Sequence, residues 1–246
     1  MVDDTIPRRR FLLGAGLAGT AVAAGLAPEL STSIQAEAPA TPAAVSTITS
    51  PAISESEPLL MLTATEAAFV TAAVDTIIPA DELSPAGSDC GIVTFIDRQL
   101  ASDWGGGARM YRSGPFHKGK PEQGYQLPLT PRQFFQTGVA EANAWSNKTY
   151  GRDFDRLSQL DRIAALMAME EGRARFVSLG ARTFFNALLS ITMEGFFSDP
   201  AYGGNRNAAS WKMLGFPGLP ATYANKFEEY RHKRYVAPPR SMADFS

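Results

Sequence analysis

The sequence predicts an all-α protein: an irregular helical bundle with long loops and a C-terminal lobe rich in glycine and aromatic residues, preceded by a signal segment and a flexible tether. Three observations predict it. Thr63-Ala64-Thr65-Glu66 and Thr130-Pro131-Arg132-Gln133 are helix-opening signatures, the first a capping box and the second with proline at the first helical position. Behind them, apolar residues recur at intervals of three and four. No stretch alternates apolar and polar residues over the length of a half-buried strand.

Residues 1–36 read as an export signal. Arg8-Arg9-Arg10-Phe11-Leu12 fits the twin-arginine pattern through Arg8, Arg9, Phe11 and Leu12, and an apolar, glycine-rich run follows to about Ala27. Ile34-Gln35-Ala36 and Ala36-Glu37-Ala38 offer small-residue cleavage sites. The alternative is a membrane anchor, against which stand the shortness of the run and Gly14, Gly16, Gly19 and Gly25 within it. Gly14-Ala15-Gly16-Leu17-Ala18-Gly19 spells a dinucleotide-binding pattern, but no strand precedes it, so it is rejected. Residues 37–59, rich in Ala, Pro, Ser and Thr, read as a tether with too little apolar surface to offset the entropy of ordering.

The folded domain is expected over residues 60–235. Phe69, Val70, Ala73, Val74, Ile77 and Ile78 form the buried side of a first helix that Pro79 stops. A second runs from Gly91 to Asp103 with Ile92, Phe95, Ile96 and Leu100 inward, and a short helix follows through Tyr111. Ser113 to Leu129 is a long loop, and loops of that length usually serve a purpose. The helix opened by Thr130 reaches about Thr149. Ser158 starts another, carrying Ile163, Leu166, Met167 and Glu170 and ending at Gly172. The longest is expected from Arg175 to Phe197, with Phe176, Leu179, Phe184, Leu188, Ile191 and Phe196 inward. A compact irregular lobe held by Tyr202, Trp211 and Phe216 comes next, and residues 236–246 read as an extended arm.

Chemistry is sparse. The 23 Lys and Arg residues against 25 Asp and Glu, with no basic stripe, point away from nucleic acid. One cysteine rules out thiolate clusters and Cys-x-x-Cys-His haem attachment. No metalloprotease helix, phosphate loop or nucleophile elbow is present. His117 and His232, the only histidines, read as surface residues, and Asp97-Arg98 and Glu170-Glu171 as solvated helix charges. Catalytic, cofactor-binding and metal-ligating residues are therefore expected to be absent. Cys90, at a loop-to-helix junction that favours access, is either buried and inert or paired with another chain. The doublets Phe134-Phe135, Phe184-Phe185 and Phe196-Phe197 diverge by about 100° around a helix axis. They signal either a broad buried face or an apolar interface.

Three blocks carry a family resemblance. They are Leu62 to Pro79, then Phe95-Ile96-Asp97-Arg98-Gln99-Leu100 on to Gly114-Pro115-Phe116, and Gly195 to Asn205 with Trp211 and Gly215-Phe216-Pro217-Gly218. The sequence resembles the small subunit of the gluconate 2-dehydrogenase family, although Ser210 stands where the family shows glycine before the tryptophan. The resemblance implies a non-catalytic subunit without a cofactor of its own. It would associate with a large FAD-binding subunit and a cytochrome c subunit carrying haem c, in a periplasmic complex at the cytoplasmic membrane. Its role would be maturation, stabilisation and export of the large subunit through the twin-arginine translocase. Phe116, Tyr202, Gly203, Gly204, Asn205, Trp211 and Phe216 are the candidate partner interface, unless the lobe packs on its own bundle. Cys90 is the candidate intermolecular disulfide. The competing expectation is a self-standing periplasmic enzyme or small-molecule binding protein using the 113–129 loop.

Overall fold

The computed structural model describes residues 58–117, 119–120, 123–219 and 224–245. The signal residues Arg8, Arg9, Phe11 and Leu12 and most of the tether lie outside the described residues. Among the described residues six α-helices carry the fold: α1 (Ala64–Ile77), α2 (Ile92–Ala101), α3 (Pro131–Tyr150), α4 (Gln159–Glu170), α5 (Ala181–Phe197) and α6 (Ala209–Leu214). Among the described residues there is no strand, only one isolated bridge between Gly218 and Arg240. No helix among them is long and apolar enough to cross a membrane.

Helix α1 forms where the capping signature places it. The Thr63 side chain accepts from the Glu66 amide, and Glu66 returns the bond to Thr63. Its residues are buried nearly all round, which suits a central helix, and it touches α2, α3, α4 and α5. Phe69 meets Phe154 with ring centroids 4.8 Å apart and Phe184 at 6.2 Å. Phe134, Phe135 and Phe176 all lie within 6.3 Å of Phe184, so that ring is the hub of the core. Gly138 makes the arrangement possible, because a Cβ there would stand 2.1 Å from the Phe184 ring. Phe69, Phe134, Phe154 and Phe184 are fully buried, and each such ring contributes about 1.5–3 kcal/mol.

The doublets therefore resolve mostly into core. Phe134, Phe135, Phe184 and Phe185 are all buried, and of the six rings only Phe197 is exposed. Helices α3 and α5 touch α1 and each other, so a divergence of about 100° still leaves the second ring of a doublet facing a neighbouring helix. On α4, Leu166 and Met169 take the buried stripe, and Met167 faces outward.

Two helix boundaries differ from expectation. No helix follows α2 through Tyr111. Residues 102–108 instead make successive turns, with Gly107 at φ +83° and Arg109 at φ +65°, conformations a right-handed helix cannot continue through. Arg132 donates from Nε to the Leu100 carbonyl (2.9 Å) and from Nη2 to that of Ala101 (3.1 Å), satisfying the open end of α2. Helix α5 begins at Ala181 rather than Arg175, which leaves the 20-residue α3 as the longest among the described residues. The Glu141 carboxylate on α3 takes the amides of Val177 (2.9 Å), Ser178 (2.7 Å) and Leu179 (3.4 Å), holding that stretch as a loop against α3.

Asp97 is the largest correction among the charges. It is 2% exposed, not solvated, and accepts the amides of Leu60 (2.6 Å), Met61 (2.9 Å) and Leu62 (2.8 Å). The segment leading into α1 has no strand or helix partner, and this carboxylate satisfies its donors.

Candidate functional site

The Gly-Gly-Asn lobe grows from the C-terminal end of α5. Asp199 caps a 3-10 turn over Pro200–Tyr202 by accepting from Ala201 (2.9 Å). Gly204 then passes so close to α5 that a Cβ on it would stand 2.2 Å from the Gly195 carbonyl oxygen. Asn205 is fully buried in the left-handed region (φ +44°), which asparagine tolerates better than most residues. Its Nδ2 donates to the Ser198 carbonyl (2.9 Å), and its Oδ1 accepts from the Ser210 amide (2.9 Å) and hydroxyl (2.8 Å). Ser210 therefore fits as a polar partner of Asn205, fully buried at the start of α6. Trp211 donates from Nε1 to the Phe197 carbonyl (3.0 Å), and Phe216 packs edge-on against it at 5.2 Å.

The arm beyond Tyr235 returns to this lobe. Arg240 pairs with the Pro217–Leu219 backbone, and Asp199 also accepts the Ser241 hydroxyl (2.6 Å) and the Met242 amide (2.9 Å). Burial alone would raise the Asp199 carboxyl, but the bonds from Ser241, Ala201 and Met242 outweigh it and hold the group below its ordinary value.

The predicted interface residues divide. Gly204, Asn205 and Trp211 are buried within the lobe and serve its own packing. Gly203 and Phe116 are half-buried, and only Tyr202 and Phe216 are well exposed, at 50% and 43%. Sequence spacing could not separate the two groups, because the glycine turns fold the tryptophan inward while leaving the tyrosine out. Leu214, Phe227, Val236, Met242 and Phe245 are exposed apolar residues of the same C-terminal region. Sequence reasoning missed these residues, although the density of aromatics after Gly218 carried the signal.

Cys90 is 1% exposed, not accessible at its loop-to-helix junction. The lobe covers it: the Arg206 amide donates to the Cys90 carbonyl (2.9 Å), and Gly203 lies against Gly91. A thiol so placed reaches a second chain only if the lobe lifts away.

The 113–129 loop lies over the N-terminal half of α5. Tyr125 stacks on Phe134 at 4.1 Å and donates its hydroxyl to the Leu129 carbonyl (3.2 Å), and burial pushes that phenol up. Between loop and helix is an open groove of about 770 Å³ edged by Phe116, Lys120, Arg182, Asn186 and Ser190. His117 is exposed beside it, and His232 is exposed in the C-terminal segment. Among the described residues His, Cys, Asp and Glu nowhere gather in a group of three able to hold a metal ion.

A family model described as gluconate 2-dehydrogenase subunit 3 matches residues 64–218, well over half of the chain. No curated protein and no solved structure matches. The matched span runs from the first residue of α1 through the lobe to Gly218, and it stops short of the returning arm.

Proposed function

The chain belongs to the gluconate 2-dehydrogenase subunit 3 family, and from that premise we propose that it is the non-catalytic small subunit of a flavin-dependent sugar or sugar-acid dehydrogenase complex. Its partners in this reading are a large FAD-binding subunit and a cytochrome c subunit. Its work is to mature and stabilise the large subunit and to carry it, already folded, through the twin-arginine translocase to the periplasm. The family membership carries the reading. Arg8-Arg9-Arg10-Phe11-Leu12 supports the export role, since a signal for folded cargo on one subunit serves a bound partner as well.

Affinity purification of the tagged chain from its native membrane fraction, with an absorbance spectrum of the eluate, tests it. A large co-purifying chain with flavin absorbance is the expected result. A lone colourless protein recovered in good yield would overturn it.

A second reading, a small-molecule binding protein, draws on the groove under the 113–129 loop, whose volume falls in the range of ligand sites. Thermal stabilisation of the isolated chain by sugars or sugar acids, reversed by Arg182→Ala, would favour it.

A further inference from the structure

The near-neutral charge sum hides a division along the chain. Residues 58–97 hold six carboxylates, Glu66, Asp75, Asp81, Glu82, Asp89 and Asp97, and neither Lys nor Arg. Residues 206–240 hold seven cations, Arg206, Lys212, Lys226, Arg231, Lys233, Arg234 and Arg240, against Glu228 and Glu229 alone, an excess of 7 − 2 = 5.

The basic stretch folds into a cleft. Phe216 and Pro217 form one side, and residues 226–235 form the other, of a shallow, open cleft of about 590 Å³. Phe227 is 74% exposed, while Tyr230 and Tyr235 are half-buried and meet edge to face at 4.8 Å. Glu229 and Glu228 are engaged by Lys226 (3.2 Å) and Arg231 (3.0 Å). Lys233 stands on the rim, and Arg234 lies against Gly215.

We propose that this cleft is the docking groove for a carboxylate-bearing segment of the large dehydrogenase subunit, one that inserts an apolar side chain between the rings. The proposal rests on the small-subunit reading and gives it a place on the molecule. An apolar floor lined by Lys233, beside two cations already held by glutamates, favours an occupant that is apolar at its tip and carries one carboxylate beside it, and such anchors dominate binding energy at protein interfaces. A bilayer presents a plane rather than a projection, so the concavity favours a protein segment. Residues 219–245 lie beyond the family match, which ends at Gly218, so the groove fits a device by which this chain selects its own large subunit.

The test is retention of flavin absorbance on the tagged full-length chain, co-expressed with the large subunit and washed with salt. Wild type is expected to retain it. The variant Phe227→Ser/Lys233→Glu, and Lys233→Glu alone as a milder change, are expected to retain at least about tenfold and about threefold less, respectively. Leu160→Ser, on the exposed face of α4, is expected to retain it as wild type does. All three positions are exposed, and a thermal melt checks that each variant folds. Equal retention by the double variant overturns the groove and leaves the subunit reading intact. Absence of flavin on the wild-type chain overturns both. A double variant that keeps the large subunit but loses binding to phosphatidylglycerol vesicles also overturns the proposal, and assigns the surface to a membrane.

Discussion

Asn205 Oδ1 accepts both the backbone amide of Ser210, at 2.9 Å, and its hydroxyl, at 2.8 Å. One buried amide side chain thus fixes the first turn of α6, and through Nδ2 it ties that turn to the end of α5. Asn205→Ala removes three hydrogen bonds and places alanine at positive φ, so it is expected to cost about 2–3 kcal/mol. Ser210→Ala, which keeps the amide bond, is expected to cost about 1 kcal/mol. Denaturant titration measures both, and equal losses would mean that Asn205 does not organise the lobe.

Asp97→Ala leaves the amides of Leu60, Met61 and Leu62 without their acceptor, and a loss of about 3 kcal/mol is expected. Asp97→Asn retains one acceptor oxygen and turns an amide donor toward another donor, so an intermediate loss is expected. Chemical denaturation distinguishes the three proteins. Indifference to Asp97→Ala would return the residue to the solvated helix charges.

Glu141→Ala is expected to act locally. Val177, Ser178 and Leu179 lose their acceptor, and hydrogen exchange at those amides should quicken while the α1 amides keep their protection. The global cost is expected to be about 1 kcal/mol, because the site is largely exposed. Slower exchange in this stretch, from growth of α5 toward Arg175, would show that the carboxylate suppresses a longer helix.

Asp199 sets an acid dependence. Its carboxyl titrates below the ordinary aspartate value when folded, so the stabilisation it provides is complete above that value. It is lost as pH falls through the lower folded value. Proteolytic release of the segment after Arg240 is therefore expected to accelerate in that acidic window, and Asp199→Asn should release it at neutral pH. Release of equal rate at all pH values in wild type would contradict this.

Arg8→Lys/Arg9→Lys is expected to leave the large subunit in the cytoplasm, as fractionation followed by immunoblotting of that subunit would report. Normal export with the double variant would show that the partner travels by another signal.

Much of the scaffold was legible because it is written locally. The two threonine-led caps, the apolar spacing behind them and Pro79 each act within a turn or two of their own position, and α1, α3 and α4 begin at the caps that name them. What escaped depends on partners distant in sequence. Asp97 is buried because residues 60–62 arrive 35–37 positions away, and the amides of residues 177–179 find Glu141 from 36–38 positions away. The lobe closes over Cys90 from Arg206. The exposed ring at Tyr202 and the buried one at Trp211 belong to the same glycine-rich run, and the local pattern alone did not sort them.

The Asp97 anchor also bears on force. If the N-terminal segment is drawn by machinery that pulls on its cargo, tension entering at Leu60 reaches one carboxylate on α2 before it reaches the first turn of α1. Three hydrogen bonds on that carboxylate stand between such a pull and the capping box that opens α1. The same residue that satisfies three stray amides is thus placed as a strain relief, where the cord joins the casing.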